Sequence, residues 1–493
     1  MRNFTFLCSL LLIPASAAFC QQTEKIWFNK ADSVYGYYVV IPPASSPRIQ
    51  AALVLLDGYS GNADGFFPET KIQNVAYANE ILTVCIPTGP RLYADSSMLE
   101  LLNHTLSAVA AKYHLRKDQF AIGGMSSGGT IALRYAELCH EKPAEFAVLP
   151  KAVFDVDSPT DLVALYLSAS RELKKDFKGW WLGESQMIID RFNKELGPMP
   201  VTKKYSEVSP FLGDIEGAGN EQWLKETAVR SYHDVDVNWF IQNRRRSLYE
   251  TNMLSASEFI NQLVLEGNGQ AEFVSSKIEG RRANGQRHPH SWNIVDEIDL
   301  IQWIKEKLHF YPDHLEKPNA YKAPPDWQHE TIPFPMDFVP ELPYKGFEDL
   351  RFAPGWGKAD SGEKWLYTFL WWLDGSYPFT EKTLVRDLES YFTGLTRDKG
   401  NADKLDMSNW TPAKAQVQKG ATAKGDIGTY TATVNIFDTE ITMKPAVLYV
   451  KIHVKKISDK NRTIVLFEIA ANPFSAAVWG QADKINDYLN EPE

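Results

Sequence analysis

The sequence predicts an α/β architecture, a doubly wound and mostly parallel sheet, followed by a smaller α+β domain with an antiparallel sheet. Three observations predict it. From residue 51 to about 307, short apolar runs of strand length alternate with amphipathic stretches of helix length. One strand-to-helix junction, Phe120-Ala-Ile-Gly-Gly-Met-Ser-Ser-Gly-Gly129, carries enough glycine to bend sharply between the two elements. Beyond Pro343 the pattern shifts toward the two-residue alternation of antiparallel strands.

In chain order, residues 1–20 read as an export signal. Arg2 supplies positive charge, residues 6–14 an apolar run, and Ala18 and Cys20 the small residues before a cleavage ahead of Gln21. The mature protein is then periplasmic or secreted. A lipid anchor on Cys20 is the lesser reading, because Phe19 stands where such sites prefer a small residue. No later run approaches the ~18 apolar residues that cross a bilayer, so no transmembrane segment is expected.

A catalytic domain is expected over 21–308. Its strands fall at 37–41, 51–56, 81–86, 120–122, 152–154, 228–232 and 271–274, its helices at 98–113, 130–138, 238–252, 255–262 and 292–308. The rhythm breaks over 159–226, where amphipathic stretches at 162–177 and 186–196 flank Trp180-Trp181, and this insertion reads as a helical cap over the strand ends. A connector at 309–345 follows, with eight prolines between Pro312 and Pro343, too many for a helix or a central strand. The C-terminal domain, 346–493, reads as a strand at 364–372, a helix at 380–395, a meander at 429–441, 446–457 and 463–470, and a closing helix at 483–489, together an α+β sandwich.

Composition narrows the function. The formal net charge of −10 leaves no basic excess for nucleic acid, and Arg244-Arg245-Arg246 reads as the solvated face of a helix. Only Cys85 and Cys139 lie beyond the leader, and both read as buried small hydrophobes, not a disulfide or a metal pair. Neither metal nor organic cofactor is expected.

The chemistry centres on Gly124-x-Ser126-x-Gly128. A strand turning straight into a helix strains the residue at the bend and lifts its side chain clear of the backbone. A serine hydroxyl is a weak nucleophile that needs an imidazole base, and the imidazole needs a carboxylate to fix its tautomer. The expected chain order is Ser, acid, His. His290, in Arg287-His-Pro-His-Ser-Trp292, immediately precedes the last helix of the domain and is the preferred base, with His288 as competitor. The preferred acid is Asp236, a few residues past a strand end; Asp234 is second, and Asp157, one strand earlier in Phe154-Asp-Val-Asp-Ser-Pro159, is third. Each aspartate is also a natural helix cap. Two backbone amides are expected to hold the oxyanion: that of Ser127, and that of Tyr59 in the turn Leu55-Leu-Asp-Gly-Tyr-Ser-Gly61.

With these residues in view, 25–308 resembles the α/β-hydrolase fold family, and within it the serine esterases and the prolyl-oligopeptidase-type peptidases. The resemblance rests on Gly124-x-Ser126-x-Gly128, the Asp57-Gly58 turn, Asp236 and His290. It implies a two-step acyl-enzyme mechanism without cofactor. The chain departs from the family in having Asp57 where many relatives carry histidine, and in lacking the usual His-Gly-x-x-Asp spacing of the acid. The expected activity is hydrolysis of small-molecule esters, with peptides as the alternative substrate. A different class of reading is a degenerate hydrolase scaffold that binds carbohydrate. Trp365, Tyr367, Phe369 and Trp371 share one strand face, and such a face either builds a sheet core or stacks on a polysaccharide.

Overall fold

The computed structural model describes residues 23–43, 49, 51–175, 179, 181–199, 203–213, 219–309, 324, 326–457 and 462–489. The export segment with Cys20, Trp180 and most of 309–325 lie outside the described residues.

The first sheet is built from β1 (Glu24–Trp27), β2 (Tyr37–Ile41), β3 (Ala52–Leu56), β4 (Leu82–Ile86), β5 (Phe120–Met125), β6 (Ala152–Val156), β7 (Ala228–His233) and β8 (Ala271–Ser275). Their order is β1-β2-β4-β3-β5-β6-β7-β8. β2 pairs antiparallel with β1 and β4, and every pair from β4 to β8 is parallel. Runs such as Ala-Leu-Val-Leu-Leu in β3 are apolar throughout because both of their faces are covered. On one face lie α2 (Ser96–Tyr113), α3 (Ser127–Glu141) and α8 (Met253–Leu265), on the other α1 (Ile72–Ala78) and α9 (Glu297–Lys307). The chain leaves β3 for β4 on one side, then crosses to β5 on the other, so the winding reverses at β3. A crevice outside the carboxyl ends of β3 and β5 is therefore dictated by topology.

Between β6 and β7 the insertion forms α4 (Leu162–Leu173), α5 (Leu182–Glu195) and α6 (Lys203–Val208). Leu162, Ile188, Phe192 and Tyr205 pack with Leu92 and Tyr93, which pins these helices to the sheet end. The expected helix 238–252 is shorter. α7 (Val237–Arg244) stops at Arg245, which takes a left-handed conformation at φ 54°.

The second sheet contains β9 (Gln328–Pro333), β10 (Gly346–Phe352), β11 (Tyr367–Asp374), β12 (Lys414–Lys419), β13 (Gly428–Asp438), β14 (Lys444–Ile457) and β15 (Arg462–Ala470), all antiparallel, in the order β12-β13-β14-β15-β11-β10-β9. This is the expected α+β arrangement: one antiparallel sheet is packed against α10 (Glu381–Ala402) on one face, with α11 (Trp479–Leu489) on the other side. The domain also begins inside the connector, since β9 is a strand and Phe334, Met336 and Val339 are core residues. Trp365, Tyr367, Phe369 and Trp371 are at most 2% exposed beneath α10. They offer no face to a polysaccharide, so the sugar-stacking reading of this strand is withdrawn.

The two domains share a core. Phe347, Leu370, Trp372 and Leu466 of the second sheet join Ile72 and Val75 of α1 and Ile301 and Ile304 of α9 in one apolar cluster. A buried ion pair between Lys71 and Asp349 (2.6 Å) and a hydrogen bond from Tyr77 to Asp374 cross the same boundary. No described helix is long and apolar enough to cross a membrane.

Candidate active site

Ser126 lies at the crevice, between β5 and α3, with φ 54° and ψ −128°. A non-glycine residue held there is strained and persists only because its surroundings fix it. Its N–H donates to the Val156 carbonyl at 3.0 Å. A Cβ on Gly128 would come within 2.3 Å of the Asp57 carbonyl oxygen, and one on Gly124 within 2.5 Å of the Gly128 backbone. The flanking glycines thus let the bend press backbone against backbone at the end of β3.

His290 meets Asp157. Its Nδ1 lies 2.7 Å from Asp157 Oδ2, while the other oxygen, Oδ1, lies 3.0 Å from Nδ1 of His233. Donation from His290 Nδ1–H to the carboxylate leaves Nε2 free as the basic nitrogen. Asp157 follows β6 on a turn with φ 46°. Burial pushes its carboxyl up, but the charge of His290 and the hydrogen bonds from His233 and His290 outweigh burial and hold it well below the carboxylate range. His233 is fully buried, stacked on Phe273 at 5.0 Å, with Nε2 2.9 Å from Ser231 Oγ. Sequence reasoning missed His233. Its only signal was a histidine ending a strand beside the one that carries Asp157.

The preferred acid, Asp236, does not meet His290. Its side chain caps α7 by accepting the Trp239 N–H at 2.9 Å and pairs with Arg287 at 3.0 Å. Asp234 likewise pairs with Arg287 (2.7 Å) and accepts the Gly280 N–H (2.8 Å). Both aspartates are committed to anchoring the loop that leads to the histidine. His288, the competing base, has Nε2 2.7 Å from Arg244 and Nδ1 3.1 Å from the His290 carbonyl. Burial, then the positive neighbours His290, Arg282 and Arg244, lower it to about 3, so it stays neutral and buttresses the loop.

The turn after β3 abuts the nucleophile. A Cβ on Gly58 would sit 3.4 Å from Ser126 Cβ and 3.9 Å from its Oγ. The Gly58 carbonyl accepts from Thr88 Oγ1 (2.7 Å) and the Gly61 N–H (2.8 Å), so in a trans peptide the Tyr59 N–H points the opposite way. The Ser127 N–H opens α3 and has no carbonyl one turn earlier in the helix. Asp57 accepts from Trp292 Nε1 at 2.9 Å and so ties this turn to the His290 loop.

Ser126, Tyr59, Asp157 and His290 line one cavity of about 240 Å³. Ala164, Leu165 and Ser168 of α4 and Met187 and Ile188 of α5, from the 159–226 insertion, also line it. The arginine run is not one solvated face: Arg245 is exposed, but both of its neighbours are engaged. Arg246 is bound to Glu172 (Nη2–Oε2 3.0 Å), and Arg244 sits over the rings of Trp181 and Trp239 at 5.0 and 5.7 Å. Among the described residues no group of three or more His, Cys, Asp or Glu side chains is arranged to hold a metal ion.

No family model matches the chain, and no curated protein matches it in sequence. Solved structures are similar to part of the chain. An esterase from the planctomycete Thermogutta terrifontis is 16% identical, covering 59% of this chain and 96% of its own (TM-score 0.37). An S-formylglutathione hydrolase of Staphylococcus aureus is 13% identical, covering 58% and 99% (TM-score 0.36). Esterase B of Lactobacillus rhamnosis is 11% identical, covering 58% and 87% (TM-score 0.38). Likenesses this distant carry no argument about chemistry, which rests on the geometry above.

Proposed function

We propose that this chain is an exported serine hydrolase of carboxylic esters, in which Ser126 attacks, His290 moves the proton and Asp157 holds His290. The observation that carries the reading is the 2.7 Å contact between His290 Nδ1 and Asp157 Oδ2 in the cavity that Ser126 also lines. His290 Nε2 takes the proton of Ser126 Oγ as that oxygen bonds to the ester carbonyl carbon. The carbonyl electrons move onto oxygen, where the N–H groups of Ser127 and Tyr59 receive the charge; one such donor is worth about 10²–10³ in rate. Collapse breaks the bond to the alcohol oxygen, which leaves with the proton from His290. Water, deprotonated by His290, then cleaves the acyl-serine and releases the carboxylic acid. A cavity of about 240 Å³ closed by α4 and α5 suits a small ester better than an extended peptide. Export rests on Arg2, the apolar stretch 6–14 and the small residues before Gln21.

A fluorophosphonate probe tests the reading. Wild type is expected to be labelled and S126A not, with turnover of nitrophenyl esters and none of aminoacyl amides. A folded, unlabelled wild type would favour the degenerate binding scaffold, and turnover of amides alone would favour a peptidase.

A further inference from the structure

The segment that links β8 to His290 is a short hairpin with its own anchor. Arg281 bridges Arg287, the Arg282 N–H donates to the Gln286 carbonyl at 2.9 Å, and Gly285 turns the chain at φ 78°. Arg287 fastens the hairpin to Asp234 and Asp236, and the Gly280 carbonyl accepts from the His288 N–H at 2.8 Å. This rigid support carries Arg282 to the wall of the cavity shared by Ser126 and His290. A supported cation on the wall of the cavity that Ser126 lines calls for a role.

The other cavity arginines are engaged. Arg246 is bound by Glu172, and Arg244 by His288 and two indoles. The guanidinium of Arg282 has no ion pair and no hydrogen bond among the described residues. Asp57 and Glu69 act on it through space. Burial raises both; Asp57 is bonded by Trp292 and Gly58, and Glu69 takes the Ala283 amide while its Oε2 has no hydrogen-bond partner among the described residues. Of the acidic groups on the wall, Asp161 caps α4 and Glu250 pairs with Lys175 at 3.0 Å, while Glu184 acts on Arg244 and Arg246. Glu258 also lines the wall. Arg282 thus lines the cavity with no carboxylate bonded to its guanidinium among the described residues.

We propose that Arg282 is the receptor for a carboxylate on the substrate, so that the ester cleaved at Ser126 is a small anionic one, such as a monoester of a dicarboxylic acid. This rests on the hydrolase reading above. A planar guanidinium presents two parallel N–H donors that match the two carboxylate oxygens, which a neutral acyl chain cannot use. The cavity volume sets the size: room for an acyl chain of a few carbons, not a polymer.

The test compares mono-p-nitrophenyl glutarate with p-nitrophenyl pentanoate on the full chain. Wild type is expected to favour the anionic ester at least tenfold in kcat/KM. R282Q should cut that ratio at least tenfold, and R282K should fall between, keeping the charge and losing the fork. Free glutarate should raise the melting temperature of wild type and of S126A, and that of R282Q far less. A wild-type ratio at or below one, a ratio unchanged in R282Q, or no glutarate shift in wild type overturns the proposal. Fluorophosphonate labelling separates the two failures. A labelled enzyme with no anionic preference refutes the carboxylate receptor alone, whereas a folded, unlabelled wild type refutes the hydrolase reading beneath it.

Discussion

Asp157 sits on a turn with positive φ, and its two oxygens face two different imidazoles, His290 and His233. That double engagement overcomes burial and keeps the carboxylate ionised. The sign of its effect on stability follows. The folded pKa lies below the unfolded one of about 3.9, so its stabilisation is complete above that pH and lost as pH falls below it. The stability gap between wild type and D157N should therefore shrink as pH falls below 4, as read by urea unfolding; a gap unchanged from pH 5 down to pH 3 would contradict this. Ser126 and His290 were legible from local sequence, because an elbow and a histidine before a terminal helix are local patterns. The acid was not. What excludes Asp236 and Asp234 is Arg287, some fifty residues away in sequence, and pairings at that distance leave no mark in the local pattern.

Elements show the same division. β3 and β5 are apolar runs whose burial matches their composition. β10 was missed because Glu348, Asp349 and Arg351 interrupt its apolar pattern; all three are buried with partners, Glu348 bonded by Trp371 Nε1 (2.6 Å) and Tyr391 (3.0 Å). α7 was drawn too long because Arg245 ends it through a conformation that composition does not signal. The β5–α3 bend offers a direct check at this scale. A methyl on Gly128 meets the carbonyl oxygens of Asp57 and Leu56 at 2.3 and 2.4 Å, and backbone cannot yield as a flexible side chain would. G128A should cost about 1–3 kcal/mol or more and abolish labelling at Ser126. A variant with unchanged melting temperature and full labelling would show that the bend is looser than described.

At the scale of the whole molecule, the first sheet and the C-terminal sheet are not beads on a linker. α1 and α9 serve both, burying one side on the first sheet and meeting Phe347, Leu370 and Trp372 of the second, with Lys71 and Asp349 paired at the seam. Removing one partner of such a pair leaves a buried charge and typically costs 3–5 kcal/mol. Heating should give one cooperative transition, whether followed at the C-terminal tryptophans or by loss of esterase activity; two transitions well apart in temperature would contradict the shared core. The boundary at residue 346 read from the sequence misplaced the seam because β9 and its neighbours lie in a proline-rich stretch that looks like a connector. Every part of this architecture that bears on chemistry converges on the pairing of His290 with Asp157 rather than with Asp236. The direct test is kcat for ester hydrolysis in D157N beside D236N. Loss of the carboxylate that fixes the tautomer should lower kcat in D157N by about 10⁴ and leave D236N within a few-fold of wild type, whereas collapse of D236N with D157N active would contradict the account.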